Sequence, residues 1–144
     1  MDCIRYKGGF KYQLAETYSV RVKIFPVEML DTKFLCLTRT GVLTLRHGYA
    51  CDGASGCAFD TKTIMRGAFV HDALYQLLRL GLLPQRYRSE ADEELRRICL
   101  EDGMWKARAW WVYRAVRLGG GPSASPENKK VIMLAPKSCK EKPE

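Results

Sequence analysis

"VHDALYQLLRLGLLPQRYRSEAD", residues 70–92, decides how this chain is read: a histidine beside an aspartate, a break, and then a second aspartate. Ile64, Ala68, His71, Tyr75 and Leu78 recur at steps of three and four. That is the spacing of one helix face, so His71 is expected in the apolar stripe that faces the rest of the protein. Gly81 ends this helix and Pro84 prevents its resumption. A second helix is expected from a Ser89 cap through "EADEELRRICLED" to Gly103. Within it Asp92 stands three residues before Leu95 and seven before Cys99, so its carboxylate also falls on an apolar side. A buried carboxylate is costly without a partner, and His71 is the inward partner the pattern offers. The link from Gly81 to Arg88 spans at most ~27 Å, ample for an antiparallel return that brings the two together.

Such a pair fixes the imidazole tautomer and leaves the other ring nitrogen to take a proton from water, as a general base does. Asp72 points about 100° away around the helix and suits a hard cation, Ca²⁺ or Mg²⁺, completed by oxygens from the loop holding Asp52, Gly53 and Gly56. A plainer reading stands beside this one. "SEAD" also matches a capping box in which Asp92 meets the helix dipole, with His71 a satisfied core histidine and Asp72 a solvated surface charge.

Working outward, Asp60 is positioned to cap the first helix, "TKTIMRGAFVHDALYQLLRL". A third helix, "MWKARAWWVYRAVRL", runs to the triple glycine 119–121. Upstream, "YSVRVKIF" alternates in the manner of a strand, Pro26 marks a break, and "KFLCLTRTGVLTLRHGY" reads as two strands joined at Thr40-Gly41. "GYACDGASGCAFD" has no periodicity and reads as an ordered loop. The expected fold class is therefore α+β: an N-terminal antiparallel β-sheet, a loop and three helices, with the histidine and aspartate on an antiparallel helix pair. Residues 1–121 form one domain, and 122–144 a flexible basic tail in which "VIMLA" (Val131–Ala135) has the composition of an edge strand.

Composition agrees with one soluble domain: 144 residues, 47% hydrophobic and 28% charged. The formal charge of +8 predicts attraction to nucleic acid or anionic lipid, or serves solubility alone. No apolar run approaches the ~20 residues a bilayer crossing needs, and "MDCIRYKGGF" lacks a signal-peptide core, so a cytosolic start is expected. The six cysteines include no C-x-x-C pair, which excludes zinc-ribbon and thioredoxin-like chemistry. Free buried thiols are expected, although Cys51 and Cys57 bracket "DGASG" and would close a loop in an oxidising space. On the third helix Lys106, Arg114 and Arg117 share one side and Trp111, Ala115 and Leu118 another. That pattern fits tryptophans closing the core, contact with a lipid surface, or contact with nucleic-acid phosphates.

"GYACDGAS", "FVHDALY", "EAD" and the Trp/Tyr-rich last helix, in that order over residues 10–120, resemble a family of small phage and prophage proteins. The resemblance implies a viral or prophage origin, hence the host bacterial cytoplasm or the phage virion, and no chemistry. A second resemblance does imply chemistry. His71-Asp72, Tyr75, Gly81, Pro84, Tyr87 and Ala91-Asp92 resemble the helix pair of phospholipase A2 enzymes, particularly the compact domain of parvovirus capsids. It implies that His71 activates water, that Asp92 supports it with Tyr75 in the same catalytic set, and that Asp72 binds Ca²⁺. The loop from Tyr49 through Asp52 and Gly53 to Gly56 would supply further metal ligands. The chain departs from that family in carrying Asp52 where glycine is usual and in lacking the disulfide framework of secreted members. The expected function is a metal-dependent, Ca²⁺-type ester hydrolase acting at a phospholipid or anionic membrane surface. The alternative is a non-enzymatic phage protein, a virion component or one that engages a host protein, and a third reading is a metal-dependent phosphodiesterase.

Overall fold

The structure, a computed structural model, describes residues 4–6, 12–51, 61–128 and 133–135. The chain begins with strands β1 (Ile4–Tyr6), β2 (Tyr12–Gln13), β3 (Tyr18–Arg21), β4 (Leu30–Asp31), β5 (Leu35–Leu37), β6 (Val42–Leu45) and β7 (Ala50–Cys51). Helices α1 (Lys62–Arg79), α2 (Arg88–Glu101), α3 (Lys106–Gly119) and the short α4 (Gly121–Ala124) follow, and strand β8 (Met133–Ala135) comes last. The α+β class is as the sequence predicts. Strands β3, β6, β5 and β4 form an antiparallel sheet in that order, with β5 and β6 joined across Thr40-Gly41. Two further antiparallel pairs, β2 with β7 and β1 with β8, complete the strand content of the described residues.

Strand alternation builds the core. Leu35, Leu37, Leu43 and Leu45 point inward while Ser19 and Thr44 pair their hydroxyls on the outer face at 2.8 Å. The inward leucines cover α1 through Val70, Ala73, Leu74 and Leu77, and each side chain removed from water in this way stabilises the fold by ~1.5–3 kcal/mol. From residue 70 to 79 nearly every position of α1 is buried, on all sides of the helix, because α2 and α4 cover what the sheet leaves. The expected apolar stripe is thus one face of a central helix. This is why a histidine, an aspartate and a tyrosine stand fully inside.

Helices α1 and α2 are antiparallel: Arg66 reaches Asp102 and His71 reaches Asp92. They approach closely where Gly67 faces α2, since a Cβ there would lie 3.1 Å from Leu95 Cδ1 and 3.2 Å from Cys99 Sγ. α3 runs back along α2, with the Arg96 guanidinium over the Tyr113 ring. Glu94, almost fully buried, ties α2 to the segment after β3 by accepting the Lys23 backbone N–H at 2.7 Å.

Several local expectations are corrected. Ser89 is not a cap: α2 opens at Arg88 directly from a 3-10 turn, Gln85–Tyr87, and the Ser89 hydroxyl bonds Glu90. The tryptophans do not close a core. Trp105 is 84% exposed, Trp111 68% and Trp110 44%, and on α3 only Ala109 and Val116 are buried. The boundary drawn at residue 121 falls inside packed structure, for Ala124 is buried and the Ser123 and Ala124 carbonyls accept Arg79 and Gln85. Cys36 and Cys99 are free thiols, but Cys51 is disulfide-bonded, against the expectation of free thiols. The cap at Asp60, the Cys57 half of the loop pairing and the remainder of the tail lie outside the described residues. Among the described residues no helix is long and apolar enough to cross a membrane.

Candidate active site

His71 and Asp92, both with no exposed surface, meet at 2.7 Å between Nε2 and Oδ1. Tyr75, one turn along α1 and with its ring centroid 4.1 Å from that of His71, donates its hydroxyl to the same Oδ1 at 2.6 Å. The other oxygen, Oδ2, accepts Arg117 Nη1 from α3 at 2.8 Å. Asp92 is therefore an acceptor for three donors from two neighbouring helices. The capping-box reading does not survive this geometry, because the carboxylate turns into the helix layer and away from its own N-terminus.

The protonation states follow from the surroundings. Burial would by itself raise the Asp92 pKa, yet the hydrogen bonds from His71, Tyr75 and Arg117 outweigh it and hold the carboxyl below its ordinary value. An ionised carboxylate offers no proton, so His71 Nε2 carries the one between them. Burial pushes the His71 pKa down, more strongly than its bond to Asp92 pushes it up, and the ring is neutral. Its proton is then spent on Nε2, and Nδ1 is a bare lone pair. That atom is buried and makes no hydrogen bond. Burial, reinforced by the bond to Asp92, raises the Tyr75 pKa and keeps the phenol a donor.

Three residues outside the expected site, Arg88, Gly120 and Arg117, hold it in place. Arg88 donates Nε to the Tyr75 hydroxyl at 3.1 Å and Nη2 to the Val116 and Arg117 carbonyls, both at 2.9 Å, linking α2 to the end of α3. Gly120 makes room for the phenol: a Cβ there would stand 2.6 Å from Tyr75 Oη and 2.5 Å from the Val116 carbonyl. Arg117, which spacing places on one side of α3 with Lys106 and Arg114, turns inward to Asp92 instead. Its signal was the unbalanced charge of Asp92, since a neutral histidine does not compensate a buried carboxylate.

Asp72 is also buried, at 1% exposure, which removes the surface-charge reading. Its Oδ2 accepts the Tyr49 hydroxyl at 2.7 Å. Tyr49 thus reaches the site through its side chain, while its carbonyl accepts the Leu14 N–H at 2.8 Å. Asp52, Gly53 and Gly56 lie outside the described residues. Among the described residues no group of three His, Cys, Asp or Glu side chains is placed to hold a metal ion. Asp72 still fits a hard cation in kind, as a buried carboxylate oxygen one residue from His71.

Comparisons with protein-family models, with curated proteins and with solved structures give no match to this chain.

Proposed function

We propose that this protein hydrolyses carboxylic esters, those of phospholipids foremost, with His71 as general base. One observation carries the proposal: a buried imidazole is held on Nε2 by an ionised carboxylate while its Nδ1 lone pair is left without a partner. An orphaned polar atom in a packed interior costs free energy, about 1–3 kcal/mol, and an atom kept in that condition is a candidate for work. The resemblance to phospholipase A2 supports the same reading, since it implies a water-activating His71 backed by Asp92, with Tyr75 in the same catalytic set.

In the proposed step Nδ1 takes a proton from water as the water oxygen bonds to the ester carbonyl carbon. The imidazolium that forms is stabilised by Asp92, whose negative charge is held in place by Tyr75 and Arg117. The tetrahedral intermediate collapses with cleavage of the bond to the leaving alkoxide, and Nδ1–H returns the proton to that oxygen, giving a carboxylic acid and an alcohol. Asp72 would hold Ca²⁺ together with the loop from Tyr49 to Gly56, and the ion would supply charge that polarises the ester carbonyl. Since His71 has no exposed surface, the site has to open for an ester to enter. That complete burial favours the second reading, a non-enzymatic phage-encoded virion or host-interaction protein whose His71 cluster only specifies packing.

Fatty-acid release from phospholipid vesicles in Ca²⁺ tests the proposal, with a phosphodiester substrate in parallel to divide the two hydrolase classes. The wild-type chain is expected to release fatty acid and His71→Asn to fall to background. Ca²⁺ is expected to raise the melting temperature, and Asp72→Asn to remove that gain. Equal rates in wild type and His71→Asn would leave the packing reading standing.

A further inference from the structure

We propose that the outward face of α3 is a docking surface for an anionic phospholipid bilayer. At about 100° per residue, Ala107, Trp111 and Leu118 lie on the pole of α3 opposite the buried Ala109 and Val116. Trp111 is 68% exposed and Leu118 79%. Trp110 flanks this pole, and Trp105 stands 84% exposed at the residue before the helix. A surface helix ordinarily turns polar side chains to water. This one turns its largest apolar groups outward, and such a patch marks a contact.

Charge identifies the partner. The segment Lys106–Gly119 contains four cations and no acid. Arg117 is turned inward to Asp92; of the other cations, exposed Arg114 lies on the pole itself with its guanidinium over the Trp110 ring at 5.6 Å, and Lys106 and Arg108 stand on its flanks. Exposed indole and leucine interleaved with long cations are what a headgroup layer rewards: indole and leucine enter the acyl boundary while the guanidinium and ammonium groups reach back among the phosphates. Duplex nucleic acid would draw on the cations alone and gain nothing from the exposed Trp111 and Leu118. A second copy would set one acid-free cationic helix against another, in a chain of formal charge +8. A cavity of about 290 Å³ lined by Thr63, Met104, Trp105 and Arg108 opens at the same end of α3, combining apolar walls with one cation. Docking here is independent of whether His71 turns over an ester.

Intrinsic fluorescence tests this directly, because two of the chain's three tryptophans, Trp110 and Trp111, stand on or beside this face and the third, Trp105, is exposed just before the helix. The full chain is titrated, in chelator so that no Ca²⁺-dependent turnover intrudes, with vesicles of phosphatidylglycerol mixed into phosphatidylcholine, with phosphatidylcholine alone, and with duplex DNA. The expected result is a blue shift with the anionic vesicles that weakens with salt, and at least about a tenfold weaker response to the neutral ones. Trp111→Glu combined with Leu118→Glu, both at exposed positions, should keep the wild-type circular dichroism and lose binding by about tenfold or more. No shift with anionic vesicles, undiminished binding by the double variant, or preference for DNA would each overturn the proposal. A chain that docks but fails to release fatty acid would count against the hydrolase reading alone.

Discussion

The two sides of α3 invert the usual distribution of polarity. Inward, Arg117 reaches into a buried cluster of His71, Tyr75 and Asp92. Outward, Trp111 and Leu118 stand in water. Exposed single apolar residues and polar side chains at the surface need no explanation, whereas buried charge and grouped exposed apolar area do. The difference teaches where energy is concentrated: inside, each polar group has become indispensable to its neighbours, and outside the apolar groups hold up nothing in the fold.

Substitutions sharpen that contrast. Asp92→Ala would leave the His71 Nε2–H, the Tyr75 hydroxyl and Arg117 without their acceptor, and a loss of about 3–5 kcal/mol is expected in chemical denaturation. Gly120→Ala forces a methyl against the Tyr75 hydroxyl and the Val116 carbonyl, with an expected loss of about 1–3 kcal/mol. Adding Tyr75→Phe should recover part of it, which a double-mutant cycle reads as coupling between α1 and the end of α3. Tyr75→Phe alone removes one bond to Asp92 and one from Arg88, an expected loss of about 1–2 kcal/mol. Smallest of all, Trp111→Ser should stay within about 0.5 kcal/mol of wild type. Comparable losses on the two faces would break the comparison.

Acid should separate the faces as well. The folded state holds His71 neutral, with its pKa below the ordinary 6.5. The unfolded chain therefore takes up a proton first. The contribution of His71 is complete above pH 6.5 and is lost as pH falls below it toward the folded-state value. Asp92, also depressed, contributes above its ordinary 3.8 and is lost on further acidification. Melting temperature measured against pH should decline in that order. Trp111→Ser should follow the wild-type curve.

Much of the interior was legible before the structure because helical spacing is a strong signal. Residues 71 and 92 each fell on an apolar side, and an antiparallel return was the economical way to join them. The strands on either side of Thr40-Gly41 were equally plain from alternation. What spacing does not carry is direction: Trp111, Ala115 and Leu118 share a face, but periodicity alone does not say whether that face meets the core or water. Arg117 was hidden for a related reason, since a cation on an amphipathic helix is read as solvent-facing until a buried acid demands it. The contacts of Arg88 and Gly120 with Tyr75 join three helices and leave no local mark. Ser89 carried the composition of a cap, but the 3-10 turn ahead of α2 starts the helix two residues early, at Arg88 and not Glu90.

The account turns on which nitrogen of His71 holds the proton. The chain has two histidines, His47 and His71, so ¹⁵N spectra of histidine-labelled protein isolate the ring once His71→Asn removes its signals. The predicted result near neutral pH is a protonated Nε2 and an unprotonated Nδ1, persisting to pH values below 6.5. A proton on Nδ1, in either the other tautomer or an imidazolium, would contradict it.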